Sequence, residues 1–150
     1  MPVIEESLVI RQPPEVVFDY LSTVDNLAVW DSSVVEAEQI GTEPMTVGTR
    51  CRGTNKILGR RFDWTTEVSV FDPPRRLDFR SIEGKLTVVV TNLLEPVDGG
   101  TRLTYRADAE SGLGGIFGRL GDPIVQRAQA RTVRANLETL AELLGAESSG

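Results

Sequence analysis

A chain of 150 residues fits one domain, and a domain of that size buries roughly two-thirds of its unfolded surface, enough for both a core and a pocket. Without histidine and with a single cysteine, Cys51, it has no histidine base, no internal disulfide and no cysteine-rich metal site, so neither a metal nor another cofactor is expected. A formal charge of −6 with dispersed arginines argues against a nucleic-acid surface, which needs a basic face.

The opening MPVIEESLVI carries two early glutamates and only a short apolar run, so it reads as neither a signal peptide nor a membrane span. No later stretch is long enough to cross a bilayer, and a cytoplasmic protein is expected. Residues Ile4 to Ile10 predict a first strand, stopped at Gln12-Pro13-Pro14, where the prolines pre-shape the first turn of a helix. Glu15 to Leu21 then puts Val16, Val17, Tyr20 and Leu21 on one side of a short helix. Thr23-Val24-Asp25-Asn26 restarts a second, with Leu27 and Trp30 as its apolar residues and Asp25 or Thr23 as cap.

From Ser33 to Glu110 no stretch keeps a helical period, and the segments alternate between turn signals as an antiparallel meander does. Val34 to Ile40 ends at Gly41-Thr42-Glu43-Pro44. Gly48 to Asn55 sets Thr49, Cys51 and Gly53 against Arg50, Arg52 and Thr54, with Cys51 expected inside. Arg61 to Phe71 is the clearest strand: Phe62, Trp64, Thr66, Val68 and Val70 share one face, and Arg61, Asp63, Thr65, Glu67 and Ser69 the other. After the Asp72-Pro73-Pro74 turn, Leu77, Phe79 and Ser81 alternate with Asp78 and Arg80 up to a hairpin at Glu83-Gly84. Leu86, Val88, Val90, Asn92 and Leu94 then share the core face of the next strand, and Leu103, Tyr105, Ala107 and Ala109 that of the last.

Ser111 to Leu120 is glycine-dense, yet a dinucleotide fingerprint needs glycine where Phe117 stands, and no P-loop lysine is present. Two readings remain: an apolar flap of Leu113, Ile116, Phe117 and Leu120 at a cavity entrance, or a linker whose apolar residues simply pack. The last helix is predicted over Asp122 to Leu144, capped by Asp122, begun by Pro123 and stopped by Gly145. Its apolar stripe is Ala130, Val133, Leu137, Leu140 and Leu144. Extended backwards, the stripe meets Gln126 and Arg127, which either face a cavity or, for Arg127 especially, lie on the solvent edge. Residues 146–150 are expected to form a frayed tail.

Several local patterns carry a resemblance. Pro13-Pro14-Glu15-Val16-Val17-Phe18-Asp19-Tyr20-Leu21 followed by Asn26-Leu27 and Trp30, then Val47-Gly48-Thr49, Asp72-Pro73-Pro74-Arg75-Arg76-Leu77, and Glu95-Pro96 before Gly99-Gly100-Thr101-Arg102-Leu103 look like one family's helix, strand and turn signatures. In this order they resemble the START-like superfamily, also called SRPBCC or helix-grip, and within it small polyketide cyclase/dehydrase-type proteins. The resemblance implies an α+β helix-grip fold over residues 1–145: a curved antiparallel sheet of six or seven strands wrapped around a long C-terminal helix, with two short helices after the first strand. These are turn and packing motifs, so they specify architecture rather than chemistry.

The resemblance also implies a hydrophobic tunnel between the concave sheet face and the long helix, used by relatives for lipids, sterols, polyketides or plant hormones. Here the residues expected to line it are Phe62, Trp64, Thr66, Val68, Leu77, Phe79, Val88, Val90, Leu103, Tyr105 and Phe117, with Ser81, Asn92, Gln126 and Arg127 as polar points. An apolar wall with sparse hydrogen-bonding groups suits a small-molecule pocket, and an inward Asn92 needs a protein, water or ligand partner. Binding or carriage of a small hydrophobic molecule is the preferred function. The alternative is a polyketide cyclase, aromatase or dehydratase acting without metal or histidine, in which Tyr105, Asn92 and Arg127 polarise a carbonyl. That alternative lacks a proton acceptor, because Asp63 and Glu67 face outward and Glu6 is the only carboxylate that alternation turns inward. Cys51 lacks any group to activate it and is expected to be an inert buried thiol. A third class, a protein-interaction module or homodimer, would use Val89 and Leu93 on the outer sheet face.

Overall fold

Alternation of branched and polar side chains makes strands of most of the chain, and the computed structural model describes residues 3–57, 59–84, 87–109 and 123–148. The elements are β1 (Val3–Ile10), α1 (Pro14–Ser22), a 3-10 turn (Val24–Asn26), α2 (Leu27–Trp30), β2 (Val34–Ile40), β3 (Arg50–Ile57), β4 (Arg60–Asp72), β5 (Arg76–Gly84), β6 (Val88–Val97), β7 (Gly100–Ala109) and α3 (Pro123–Ser148). One antiparallel sheet of seven strands runs in the order β1-β7-β6-β5-β4-β3-β2. This is the α+β helix-grip architecture.

Consecutive strands from β2 to β7 are neighbours, but β1 and β2 occupy opposite edges. The chain must therefore cross the whole sheet between them, and α1, the 3-10 turn and α2 make that crossing. Register shifts at Val34/Glu36 and in the β4–β5 pairing at Thr65/Thr66 and Val68/Val70 add local bends.

Helix α1 buries Val17, Phe18 and Leu21, while Val16 is exposed. The apolar face is thus one residue on from the expected set, fixed by the edge-to-face contact of Phe18 with Phe71 at 5.3 Å. Thr23 holds the N-cap position of the 3-10 turn but makes no side-chain capping bond, and Asp25 lies inside that turn. Thr23 Oγ1 instead donates back to the carbonyl of Asp19 at 2.9 Å, a bond that ends α1. The strand expected from Gly48 begins at Arg50, because Gly48, at φ +92°, belongs to a tight turn in which Thr49 N–H donates to the Thr46 carbonyl at 3.1 Å.

Helix α3 seals one end of the concave face. Leu137, Leu140 and Leu144 are almost wholly buried and join Ile10, Val17, Phe18, Val68, Leu77, Leu94 and Leu103 in one cluster, with Val133 packed against it. At 1.5–3 kcal/mol for each fully buried large apolar side chain, this cluster is the main source of stability. Gly145 does not stop the helix, which continues to Ser148. One helical glycine costs about 1 kcal/mol relative to alanine and does not force an end. Asp122 and the stretch from Ser111 to Leu120, with the expected flap, lie outside the described residues. Val89 and Leu93 are exposed on the outer face, as alternation requires. Among the described residues no helix is long and apolar enough to cross a membrane.

Candidate functional site

Toward the β2 side the sheet's concave face is covered not by α3 but by the end of α1, the 3-10 turn and α2. Between that cover and the strands lies a partly open, mostly apolar cavity of about 130 Å³. Leu21, Val24, Leu27 and Trp30 form the roof; Phe62, Trp64, Thr66, Phe79, Ser81, Val88, Val90, Asn92 and Tyr105 form the floor and walls, joined by Asp31, Val34, Cys51 and Asn55. Registry explains the grouping: Asn55 stands opposite Phe62, Cys51 opposite Thr66, Thr66 opposite Ser81, Phe79 opposite Val90, and Asn92 opposite Tyr105.

Several expected positions are elsewhere. Val68 and Leu103 do face inward, but they are fully buried in the cluster sealed by the α3 leucines, so no cavity reaches them. Leu77 shares that core. Arg127 is exposed on the first turns of α3. Phe117 and the side chain of Gln126 lie outside the described residues. No described α3 residue lines the cavity, whose described cover is the α1–α2 crossing. Beneath the second half of α3 the buried leucine stripe packs directly on the core cluster.

The polar groups divide into those already satisfied and those free. Ser81 Oγ accepts from Val88 N–H at 3.1 Å and donates to the Val88 carbonyl at 3.2 Å, so it is spent on its neighbour strand. Asn55 Oδ1 accepts from the Trp64 indole N–H at 2.7 Å and fixes that ring against the wall. Asn92 is 4% exposed; its Nδ2 donates to the Leu77 carbonyl at 3.2 Å, while its Oδ1 is buried without a partner among the described residues. The Tyr105 ring meets Trp30 edge-on at 6.3 Å, and its hydroxyl also has no hydrogen-bond partner among the described residues. Burial first, and then the negative charge of Asp31, push the Tyr105 hydroxyl well above its ordinary value, so it remains a donor.

Asp31 was missing from the sequence reading. It follows Trp30 at the end of α2 and enters the cavity wall, where its Oδ1 accepts from Ser33 N–H at 3.0 Å, Ser33 Oγ at 2.7 Å and Asn136 Nδ2 at 3.1 Å. Asn136 Oδ1 in turn accepts from Ser32 N–H at 3.1 Å and Ser32 Oγ at 2.8 Å. Desolvation raises Asp31 above the usual carboxylate range, opposed by the hydrogen bonds from Ser33. Strand parity could not find it, since it lies between elements; the signal was Asp31-Ser32-Ser33, an acid whose oxygen can bond the backbone two residues on.

The other ionisable candidates stand apart. Glu6 does face the inner side, but it is not in the cavity wall and sits 3.9 Å from the Arg134 guanidinium. Glu67 lies on the outer face, held below the usual range first by Arg80 at 2.9 Å and further by Arg50. Asp63, on the same face, accepts from Thr54 Oγ1 at 2.8 Å. Cys51 is buried, and desolvation pushes its thiol up to about 11, the setting of an inert side chain. Among the described residues no cluster of acidic and cysteine side chains could hold a metal ion. A larger furrow of about 530 Å³ crosses the outer face between Glu36, Glu38, Arg52, Asp63 and Glu83, but it is open and bordered mainly by charged groups.

A family model described as polyketide cyclase / dehydrase and lipid transport matches residues 1–145. The chain belongs to this family. No curated protein matches it significantly. Among solved structures, TTHA0849 from Thermus thermophilus superposes with a TM-score of 0.81 at 27% identity, covering 98% of this chain and 99% of that one. An aromatase/cyclase, Zhui from Streptomyces sp. R1128, gives a TM-score of 0.72 at 15% identity over 95% and 92% of the two chains. A START superfamily protein from Mycobacterium smegmatis gives 0.65 at 14% identity over 90% and 97%. The last two likenesses are of fold. Within the polyketide cyclase/dehydrase and lipid transport family, this chain's cavity is therefore defined by its own side chains, above all Asp31, Asn92 and Tyr105.

Proposed function

We propose that the protein binds or carries a small hydrophobic molecule in the cavity beneath α2. The observation behind this reading is a sheltered, mostly apolar space lined by Asn92 and Tyr105, whose Oδ1 and hydroxyl are left without partners among the described residues. Apolar area supplies affinity, and a few unpaired polar groups fix orientation. A stable protein has little reason to leave a buried acceptor unpaired, because doing so costs about 1–3 kcal/mol. The family's association with lipid transport supports the same reading. A reducing, cytoplasmic setting suits its unbridged, buried Cys51.

Native mass spectrometry of gently purified protein tests it: a bound apolar compound is expected, and Val90→Arg, which places a charge in the wall, should abolish its uptake. Unchanged uptake by that variant would remove the cavity from consideration.

A second reading, a cyclase or dehydratase, gains support from Asp31, which supplies the carboxylate that Asp63, Glu67 and Glu6 do not. Beside a protonated Tyr105, a desolvated carboxylate is suited to take a proton next to a carbonyl that the phenol polarises. Turnover of model poly-β-ketone thioesters, lost in both Asp31→Asn and Tyr105→Phe, would favour this reading over simple carriage. Turnover that survives both substitutions would count against it.

A further inference from the structure

We propose that the cavity selects a neutral, compact, single-ring guest carrying a hydroxyl group, a phenol or an enol, and that it turns carboxylates away. The inference rests on the binding reading above and adds what the guest must be.

Size sets the first limit. A volume of about 130 Å³ is close to the roughly 150 Å³ of an engineered cavity that accepts benzene, and well below the roughly 300 Å³ at which drug-sized pockets begin. One ring fits within these walls, and a folded chain of several rings or a long acyl tail would have to extend beyond them.

Charge sets the second. Among the described residues no arginine or lysine lines the cavity, and Asp31 is its one carboxylate. A carboxylate guest would bring a second negative charge into a poorly solvated space with nothing to neutralise it.

Hydrogen bonding sets the third. Asn92 and Tyr105 stand directly opposite each other on β6 and β7, so their side chains rise side by side on the inner face. Asn92 presents an unpaired oxygen, while one N–H of its Nδ2 is committed to the Leu77 carbonyl. Tyr105, held protonated, can donate. A guest hydroxyl answers both at once, giving its proton to Asn92 Oδ1 and accepting from the Tyr105 hydroxyl. A ketone or ether has no proton to give and would leave Asn92 Oδ1 without a donor, and a hydrocarbon would leave both Oδ1 and the Tyr105 hydroxyl unanswered.

The test is an NMR titration of the intact protein with toluene, p-cresol and p-toluate, read on the indole N–H signals of Trp30 and Trp64, both of which line the cavity. Toluene should move these signals, and p-cresol should bind about tenfold more tightly, the factor expected from pairing one buried group otherwise left without a partner. p-Toluate should bind at least about tenfold more weakly than p-cresol. In Asn92→Ala and in Tyr105→Phe, the second of which keeps the packing, the preference for p-cresol over toluene should shrink toward one. Equal affinity for toluene and p-cresol, a preference that survives both substitutions, or p-toluate binding as well as p-cresol would each overturn the inference while leaving the cavity a binding site. Silence from all three compounds would overturn the binding reading itself, and this inference with it.

Discussion

Asn136, midway along α3, donates through Nδ2 to Asp31 Oδ1 at 3.1 Å, and so ties the cavity's roof to the helix that seals the core. The same amide accepts from Ser32 through its backbone N–H and its hydroxyl. Asn136→Ala would take a donor from a poorly solvated carboxylate and leave two Ser32 donors unmatched. We expect a loss of ~2 kcal/mol in urea denaturation, in line with bonds to charged groups and unsatisfied buried donors. A loss below about 0.5 kcal/mol would mean that water replaces the amide and that the tie is not structural.

Asp31 makes stability depend on pH in an unusual direction. Its native value lies above the ordinary one, chiefly through desolvation, so the folded state keeps a proton at pH values where the unfolded chain has released it. The stability this site contributes is full below the ordinary carboxylate range and is lost as pH rises through the raised native value. Asp31→Asn keeps an oxygen for Ser33 and Asn136 but carries no charge. Its stability relative to the wild type should therefore grow as pH rises across that window and then level off. Urea midpoints of both proteins across a pH series measure the difference, and a difference that shrinks with rising pH would show that hydrogen bonding, not desolvation, dominates at Asp31.

Cys51 offers a reporter of the cavity's integrity. With its thiol pushed up to about 11 and its side chain buried, the thiolate fraction near neutrality should be roughly a hundredfold or more below that of a free cysteine. Alkylation by iodoacetamide should be correspondingly slow in the native protein and reach the free-thiol rate in denaturant. It should slow further when a guest occupies the cavity, since Cys51 is part of the wall. Native alkylation at the free-thiol rate would show that the site opens readily.

How much of this was written in the sequence depends on which rule each residue obeys. Strand parity turned Phe62, Trp64, Phe79, Val88, Val90, Asn92 and Tyr105 inward, because alternation holds along an extended chain whatever packs on it. Parity is blind to what covers a face, so it could not separate Val68 and Leu103, under the α3 leucines, from Val90, under α2. It also could not reach Asp31, whose position is fixed by a turn, or Asn136, which lies beside the apolar stripe and looks like an ordinary polar helix residue. The long helix was legible in its stripe but not in its end, since Gly145 lowers helix propensity without compelling a stop.

The wall itself depends on a missing side chain. Gly53 stands opposite Trp64 on β3 and β4, and a Cβ at that position would lie 2.5 Å from Trp64 Cζ2 while pressing on the Glu36 carbonyl of β2. Neither neighbour can easily move: the carbonyl belongs to a paired strand, and the indole is pinned by its N–H bond to Asn55. Gly53→Ala should therefore cost ~2 kcal/mol or more, as overpacking does in well-filled interiors, and should displace the indole. Asn55→Ala provides the contrast, releasing the indole without a clash, for a loss of about 1 kcal/mol and a shift of the Trp64 indole N–H signal. If glycine at 53 is there to seat the ring, both variants should move that signal, with the larger stability loss in Gly53→Ala. An alanine at 53 that leaves both stability and the signal unchanged would mean the strands can part locally, and the cavity wall would then be softer than its hydrogen bonds imply.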